Sequence, residues 1–163
     1  MTNETGAIAR SPTARVPLQV RLFSPVLKLL LALRVPLGYN RLVTIRGRTT
    51  GLPRTAALAV LEIDGRRWVW APWGEVHWVR NLREAGRATI TKHGRREEVG
   101  ATELTAAERI AFFRDTIGPF VRRFPFGVWF IRIVDGVDVR DPVKAAEGRV
   151  VFELHPVAAE PAS

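Results

Sequence analysis

The sequence predicts an α+β, mainly β fold in which six or so antiparallel strands close into a small barrel with helices packed outside. Three observations carry this. β-rich segments fill the centre of the chain and are parted by short glycine turns, Asp64-Gly65 being the strongest hairpin signal. Helical periodicity intervenes only briefly, so the order β-β-β-α-β-β-α-α-β has too few crossovers for a doubly wound parallel sheet. At 163 residues and 47% hydrophobic content, the chain suffices for one domain around one core.

Residues 1–16 mix Thr, Asn, Ser, Pro and Gly without a period and are expected to form a disordered leader, leaving 17–163 as the single domain. Ser24 and Pro25 read as the N-cap and first residue of a short apolar helix ending near Arg34. The apolar run from Val26 to Leu37 carries Lys28 and Arg34 and falls short of the roughly 20 residues that span a bilayer. Residues 24–37 are therefore expected to cover one end of the barrel, with peripheral membrane contact as the alternative. No signal-peptide cleavage pattern follows, so the expected location is the cytoplasm or the inner face of the cell membrane.

Strands are expected over Arg41 to Arg46, over Arg54 to Ile63 after the punctuated turn Gly47 to Pro53, and over Arg67 to Ala71 after Asp64-Gly65. Val76 to Glu84 changes to helical spacing, with Trp78 and Leu82 four apart on one face. Arg87 to Lys92 and Arg95 to Glu103 form a further strand pair around Gly94. Thr105 and Glu108 make a capping box that opens a helix to about Ile117. Pro119 to Val134 is aromatic and reads equally as helix or loop. Asp141 to Ala146 reads as one or two helical turns, and Arg149 to Leu154 as a last strand.

The absence of cysteine removes disulfides, thiolate nucleophiles, iron–sulfur ligation and cysteine zinc sites. His77, His93 and His155 are scattered, so no metal site is expected. Hydrolase, zinc-protease, P-loop and dinucleotide fingerprints are missing. The net charge of +9 is unevenly spread: Arg41, Arg46, Arg48 and Arg54 occur without an acid between Arg41 and Leu61, and six basic residues between Val76 and Arg96 face one Glu84. This asymmetry suggests a basic face for one anionic ligand; a solvated basic surface is the other reading.

The segment Thr44 to Leu58 concentrates what chemistry there is. Gly47 and Gly51 let backbone amides turn outward, while Arg48, Thr49, Thr50 and Arg54 bring guanidinium and hydroxyl donors suited to phosphate or carboxylate oxygens. A plain structural hairpin would look similar.

T-x-R-G-R-T-T-G-x-P-R-T (Thr44 to Thr55), followed after a hairpin by WGEVHWVRNLREAGRATI (Trp73 to Ile90), resembles the deazaflavin-dependent nitroreductase family in its turn segment and in its W-x-x-N-L helix. The likeness runs from about Leu42 to Arg96. It implies a split β-barrel holding coenzyme F-420, a deazaflavin, in an open basic groove. Carried over residue by residue, the coenzyme's phosphate, oligoglutamate tail and ring would meet Arg48, Thr49, Thr50, Arg54, Thr55, Ala57 and Leu58, and on the other wall Ala71, Trp73, Gly74, Trp78, Arg80 and Asn81.

The chain departs from that family at Thr49, where many relatives carry Lys or Arg, in a shorter loop between Trp73 and Trp78, and in having Tyr39 as its one tyrosine. Phe120, Phe124, Phe126, Trp129 and Phe130 are candidates for a substrate wall, with core packing as the alternative. Such a wall suits a small hydrophobic acceptor: a quinone, an activated alkene or a nitro compound. A deazaflavin carries hydride itself, so no acid–base dyad is required; Tyr39 and His77 are candidates for proton delivery. Flavin mononucleotide on the same barrel is the rival cofactor. A basic module for nucleic acid or acidic membrane is the rival from another class, although no specific nucleic-acid recognition is expected.

Overall fold

A computed structural model describes residues 40–123, 132 and 136–157. The expected leader, the helix over residues 24–34, Tyr39 and the aromatic residues Phe124, Phe126, Trp129 and Phe130 lie outside the described residues.

The strands are β1 (Asn40–Arg46), β2 (Pro53–Ala59), β3 (Leu61–Ile63), β4 (Arg66–Ala71), β5 (Arg87–Lys92), β6 (Arg95–Glu103) and β7 (Val150–Pro156). They form one seven-stranded sheet in the order β2-β1-β5-β6-β7-β4-β3, and every pairing is antiparallel. The two edges of that order, β2 and β3, are consecutive in the chain and separated by Val60 alone. One stretch of chain thus borders β1 with its first part and β4 with its second, and the sheet is curled closed as a split barrel. The long second strand expected from sequence is real but divided, which makes seven strands where six or so were expected.

Two hairpins follow from backbone sterics. Asp64 and Gly65 have φ of 51° and 75°, and His93 and Gly94 have φ of 50° and 80°. Successive left-handed residues give the turn whose twist matches that of paired strands, and Gly, Asp and His tolerate it best.

Alternation along the strands produces two cores. Val43, Ile45, Val69, Ala88, Ile90, Val99, Phe152 and Leu154 point into the barrel, where they meet Val79 and Leu82 of α1 (His77–Ala85). That helix plugs one end of the barrel and stops at Gly86, whose left-handed backbone (φ 62°) returns an N–H to the Leu82 carbonyl. On the outer face of β3, β4 and β7, Leu61, Ile63, Trp68 and Val151 pack under Phe112, Phe113, Ile117 and Val121. The latter belong to a continuous helix, α2, which starts at Ala106–Ala111, widens to a π turn over Phe112–Ile117 and finishes as Gly118–Arg122. Its start is the expected capping box: Glu108 N–H donates to the Thr105 hydroxyl, and Thr105 N–H donates to the Glu108 carboxylate. The helix runs past the expected end near Ile117, because the wide turn absorbs Gly118 and Pro119 without a break. Asp141 caps the short α3 (Pro142–Ala146) with its side chain on the Lys144 N–H.

Long-range ion pairs tie strands distant in sequence. Arg66 holds Glu153 through two bonds of 2.8 and 2.7 Å, and Arg67 holds Glu97 through two of 2.8 Å. Hydrogen bonds from these guanidiniums hold Glu97 and Glu153 below the ordinary carboxylate value of 4.5. A depressed native value means stability that is present above the unfolded value and is lost as pH falls through the native one. Stability should therefore decline progressively below about pH 4.5, and the double substitution Glu97→Gln with Glu153→Gln should flatten that acid limb in a urea melt series.

Gly100 supplies a second check. A Cβ built there would lie 2.1 Å from Cε1 of His155, whose ring covers the glycine and meets the Thr102 hydroxyl at 3.2 Å. Gly100→Ala should lower the melting temperature, and pairing it with His155→Ala should restore much of the loss; additive losses would show that the ring contact is not the cause.

Candidate functional site

A cleft of about 710 Å³ opens at the plugged end of the barrel, lined by Arg46, Gly47, Arg48, Thr49, Thr50, Gly51, Glu84, Ala85 and Arg87. Its floor is the turn between β1 and β2. Gly47 donates to the Leu52 carbonyl at 2.9 Å and accepts from Gly51 N–H at 2.8 Å. A Cβ on Gly47 would stand 3.0 Å from the Leu52 carbonyl oxygen, so only glycine fits without a shift of backbone. Gly51 is left-handed (φ 70°). Thr50 stiffens the loop by accepting from the Leu52 N–H at 3.3 Å.

The wall of the cleft is α1, and Asn81 joins it to the turn. Asn81 is 8% exposed, and it is the buried polar residue of the described chain. Its Oδ1 accepts from the Arg48 backbone N–H at 3.3 Å and from Arg48 Nη1 at 3.2 Å. The helix itself is anchored by Arg83, which donates to Glu103 through Nε and Nη2 and to Glu75 through Nη1. These bonds to two carboxylates raise the Arg83 pKa, so the anchor stays charged throughout the accessible range.

The cleft gathers cations around a single carboxylate. The ion pairs among the described residues are Arg66–Glu153, Arg67–Glu97, Arg83 with Glu75 and Glu103, and Arg114–Asp115. Arg46, Arg48, Arg54 and Arg87 have no acid partner among the described residues. Glu84 is the one carboxylate lining the cleft. Guanidiniums without acid partners among the described residues, beside hydroxyls and a glycine turn, are the donor set that suits phosphate or carboxylate oxygens.

The residues expected from sequence fall into two groups. Arg48, Thr49 and Thr50 line the cleft, and Arg54 adjoins it, its Cγ lying 3.4 Å from where a Gly47 Cβ would stand. Trp73, Gly74, Trp78 and Arg80 stand at the barrel mouth: Trp78 tilts against Phe152 with ring centroids 6.2 Å apart, and Arg80 donates to the Glu75 carbonyl at 3.2 Å. Ala71 is packed in the barrel core. Strand alternation separates the remainder, since Thr55 and Ala57 share a face with Thr44 and Leu42, while Arg54 and Leu58 share the face of Ile45 and Arg41. Thr55 bonds Thr44 across the strands at 2.9 Å, and Leu58 packs toward the interior.

His77 is exposed on the first turn of α1. Arg46 and Arg87 stand within the two motif segments but are not among the contacts carried over from the resemblance. Their signal was the run of basic residues without acids, which strand pairing beside the turn converts into a cluster. No group of metal-ligating side chains occurs among the described residues.

Residues 32–119, more than half of the chain, match the profile of the F420H2-dependent quinone reductases. The chain belongs to that family. It is accordingly an oxidoreductase that uses coenzyme F-420. No curated protein matches the sequence. Among solved structures, similar chains include an F-420 reductase (12% identity, 74% of this chain and 87% of that one, TM-score 0.38). The heme storage protein HutZ of Vibrio cholerae is similar at 15% identity, over 83% and 90% of the two chains, with a TM-score of 0.45. A protein related to general stress protein 26 from Clostridium acetobutylicum is similar at 13% identity, over 80% and 84%, with a TM-score of 0.42.

Removing the Asn81 acceptor should loosen the cleft. Asn81→Ala leaves the Arg48 amide unsatisfied and should cost about 1–2 kcal/mol in chemical denaturation. Asn81→Asp keeps an oxygen in place opposite a guanidinium and should recover most of that. Wild-type stability in the alanine variant would show that the turn stands without the clamp.

Proposed function

We propose that this enzyme delivers hydride from reduced F-420 to a flat hydrophobic acceptor, a quinone before an activated alkene or a nitro compound. The observation that supports the reading is the cleft, in which Arg46, Arg48 and Arg87, without acid partners among the described residues, line the same space as Thr49 and Thr50. When bound, the reduced deazaflavin supplies hydride from its C5 position. The chain's own part is binding and orientation. Arg46, Arg48, Arg54 and Arg87 would hold the anionic phosphate and tail carboxylates, and the charge-assisted bonds they offer suit several anionic groups in succession. Trp73 and Trp78, half-buried at the barrel mouth, would bound the ring and keep water from it. His77 is the described candidate for proton delivery from solvent.

Flavin mononucleotide is the competing ligand, because its one phosphate could use the same turn. Side-by-side fluorescence titration separates the two: F-420 should bind more tightly than flavin mononucleotide or NADPH, and a flavin affinity equal or better would reject the assignment. Arg46→Ala, Arg54→Ala or Arg87→Ala should each weaken F-420 binding by about 1.5–3 kcal/mol. The ligand-free melting temperature should hardly change, since these side chains have no ion-pair partner to lose among the described residues. Turnover of menadione-like quinones should exceed that of a polar nitroimidazole when oxidation of reduced F-420 is followed under nitrogen.

A further inference from the structure

Glu84 stands where stability alone would not place it. It lies in the last turn of α1, where the carbonyl ends of a helix already gather partial negative charge and favour a cation. It lines the same space as Arg46, Arg48 and Arg87, yet it forms no ion pair with any of them among the described residues. Arg87 follows just across the left-handed bend at Gly86 and still does not close on it. The preceding Arg83 is taken by Glu103 and Glu75. An exposed carboxylate among guanidiniums that it does not neutralise remains available to a ligand.

The cleft therefore has two chemically different surfaces. Its floor donates hydrogen bonds, through the Thr49 and Thr50 hydroxyls and the guanidiniums of Arg46 and Arg48. The Arg46 guanidinium lies against the turn, with Nη2 3.5 Å from where a Cβ on Gly51 would stand. Its wall, the end of α1, accepts. The last turn of a helix leaves carbonyl oxygens without intrahelical donors, the Gly86 N–H is spent on the Leu82 carbonyl, and the Glu84 carboxylate adds an acceptor of full charge. An oxyanion suits the floor and is repelled by the wall. Both surfaces are satisfied only by a ligand that carries an N–H or O–H donor beside its anionic oxygens. Sulfate, or the terminal phosphate of flavin mononucleotide, presents oxygens to both surfaces. A phosphate that continues into an oligoglutamate tail brings amide N–H groups with it.

We propose that Glu84 is a specificity-determining residue of the cleft, accepting a hydrogen bond from an amide N–H of the F-420 tail and repelling ligands that end in an oxyanion. The proposal rests on the cleft as the site of the F-420 tail. It assigns the floor to affinity and the wall to discrimination, since a repulsive element is what separates two ligands that share an anionic group.

The test compares the full chain, wild type and Glu84→Gln, in fluorescence titrations with F-420 and with flavin mononucleotide, and in thermal shift with sulfate. Glutamine keeps an acceptor oxygen but removes the charge. The ratio of F-420 affinity to flavin affinity should fall roughly tenfold in the variant. Sulfate should bind about threefold more tightly. The ligand-free melting temperature should be no lower, because a negative charge is removed from a helix C-terminus. Glu98→Gln, on an exposed residue of β6 outside the cleft lining, removes the same charge and should alter none of these values. An unchanged or raised affinity ratio in Glu84→Gln would overturn the proposal, as would unchanged sulfate binding or an equal effect of Glu98→Gln. Wild-type protein that binds the flavin as tightly as F-420 rejects the cofactor assignment instead. The sulfate comparison does not depend on which cofactor binds better, so the two readings fail separately.

Discussion

Closure of the sheet at Val60 is the constraint on which the rest of the molecule depends. A sheet with free edges exposes unpaired backbone donors and acceptors; a strand that changes partners midway gives both edges a neighbour in sequence and curls the sheet upon itself. Curling creates an interior small enough to be filled by side chains, and it leaves open ends. One end is filled by Val79 and Leu82 of α1, both fully buried. Because α1 must sit there, its last turn comes to lie beside the β1–β2 loop, and the gap between them is the cleft. The site is therefore a product of the plug and the turn together, joined by the side chain of Asn81.

Much of this was legible in the chain. Strand limits, both glycine hairpins, the capping box and the helix over residues 77–85 follow from local sterics and periodicity, which need no knowledge of distant residues. The cleft's turn was legible too, because Gly47, Arg48, Thr49, Thr50 and Gly51 are contiguous. What could not be read was the outcome of pairings between distant segments. Arg87 belongs to the cleft because β5 lies beside β1, and the role of Asn81 as a clamp depends on a helix docking against a loop 33 residues away. The break at Val60 was hidden for the same reason, since Arg54 to Ile63 reads as one uninterrupted strand until its two halves find different neighbours. The π turn in α2 was equally invisible, as the spacing of Phe113, Ile117 and Val121 suits an ordinary helix.

The distribution of carboxylates explains how one basic chain holds different kinds of arginine. Where an arginine organises the fold, a carboxylate from another element meets it: Arg66 and Arg67 cross-brace strands, and Arg83 fastens the helix between a loop and a strand end. Each such pair is partly exposed and adds modestly to stability. Around the cleft the pattern is reversed, and cations gather with little internal compensation. Such like charges repel at long range, which is the field that would draw an anion toward the cleft.

The position of β7 has a consequence for biosynthesis. This last strand lies in the middle of the sheet, between β6 and β4, and not at an edge. Until it emerges from the ribosome, β4 and β6 have each an open side, and the outer layer lacks Val151 and the barrel lacks Phe152. The earlier hairpins can form as local units, but the barrel cannot close until β7 has emerged. Nascent chains halted before Val150 would present two unsatisfied strand edges and an incomplete core, the combination that promotes aggregation and invites chaperones.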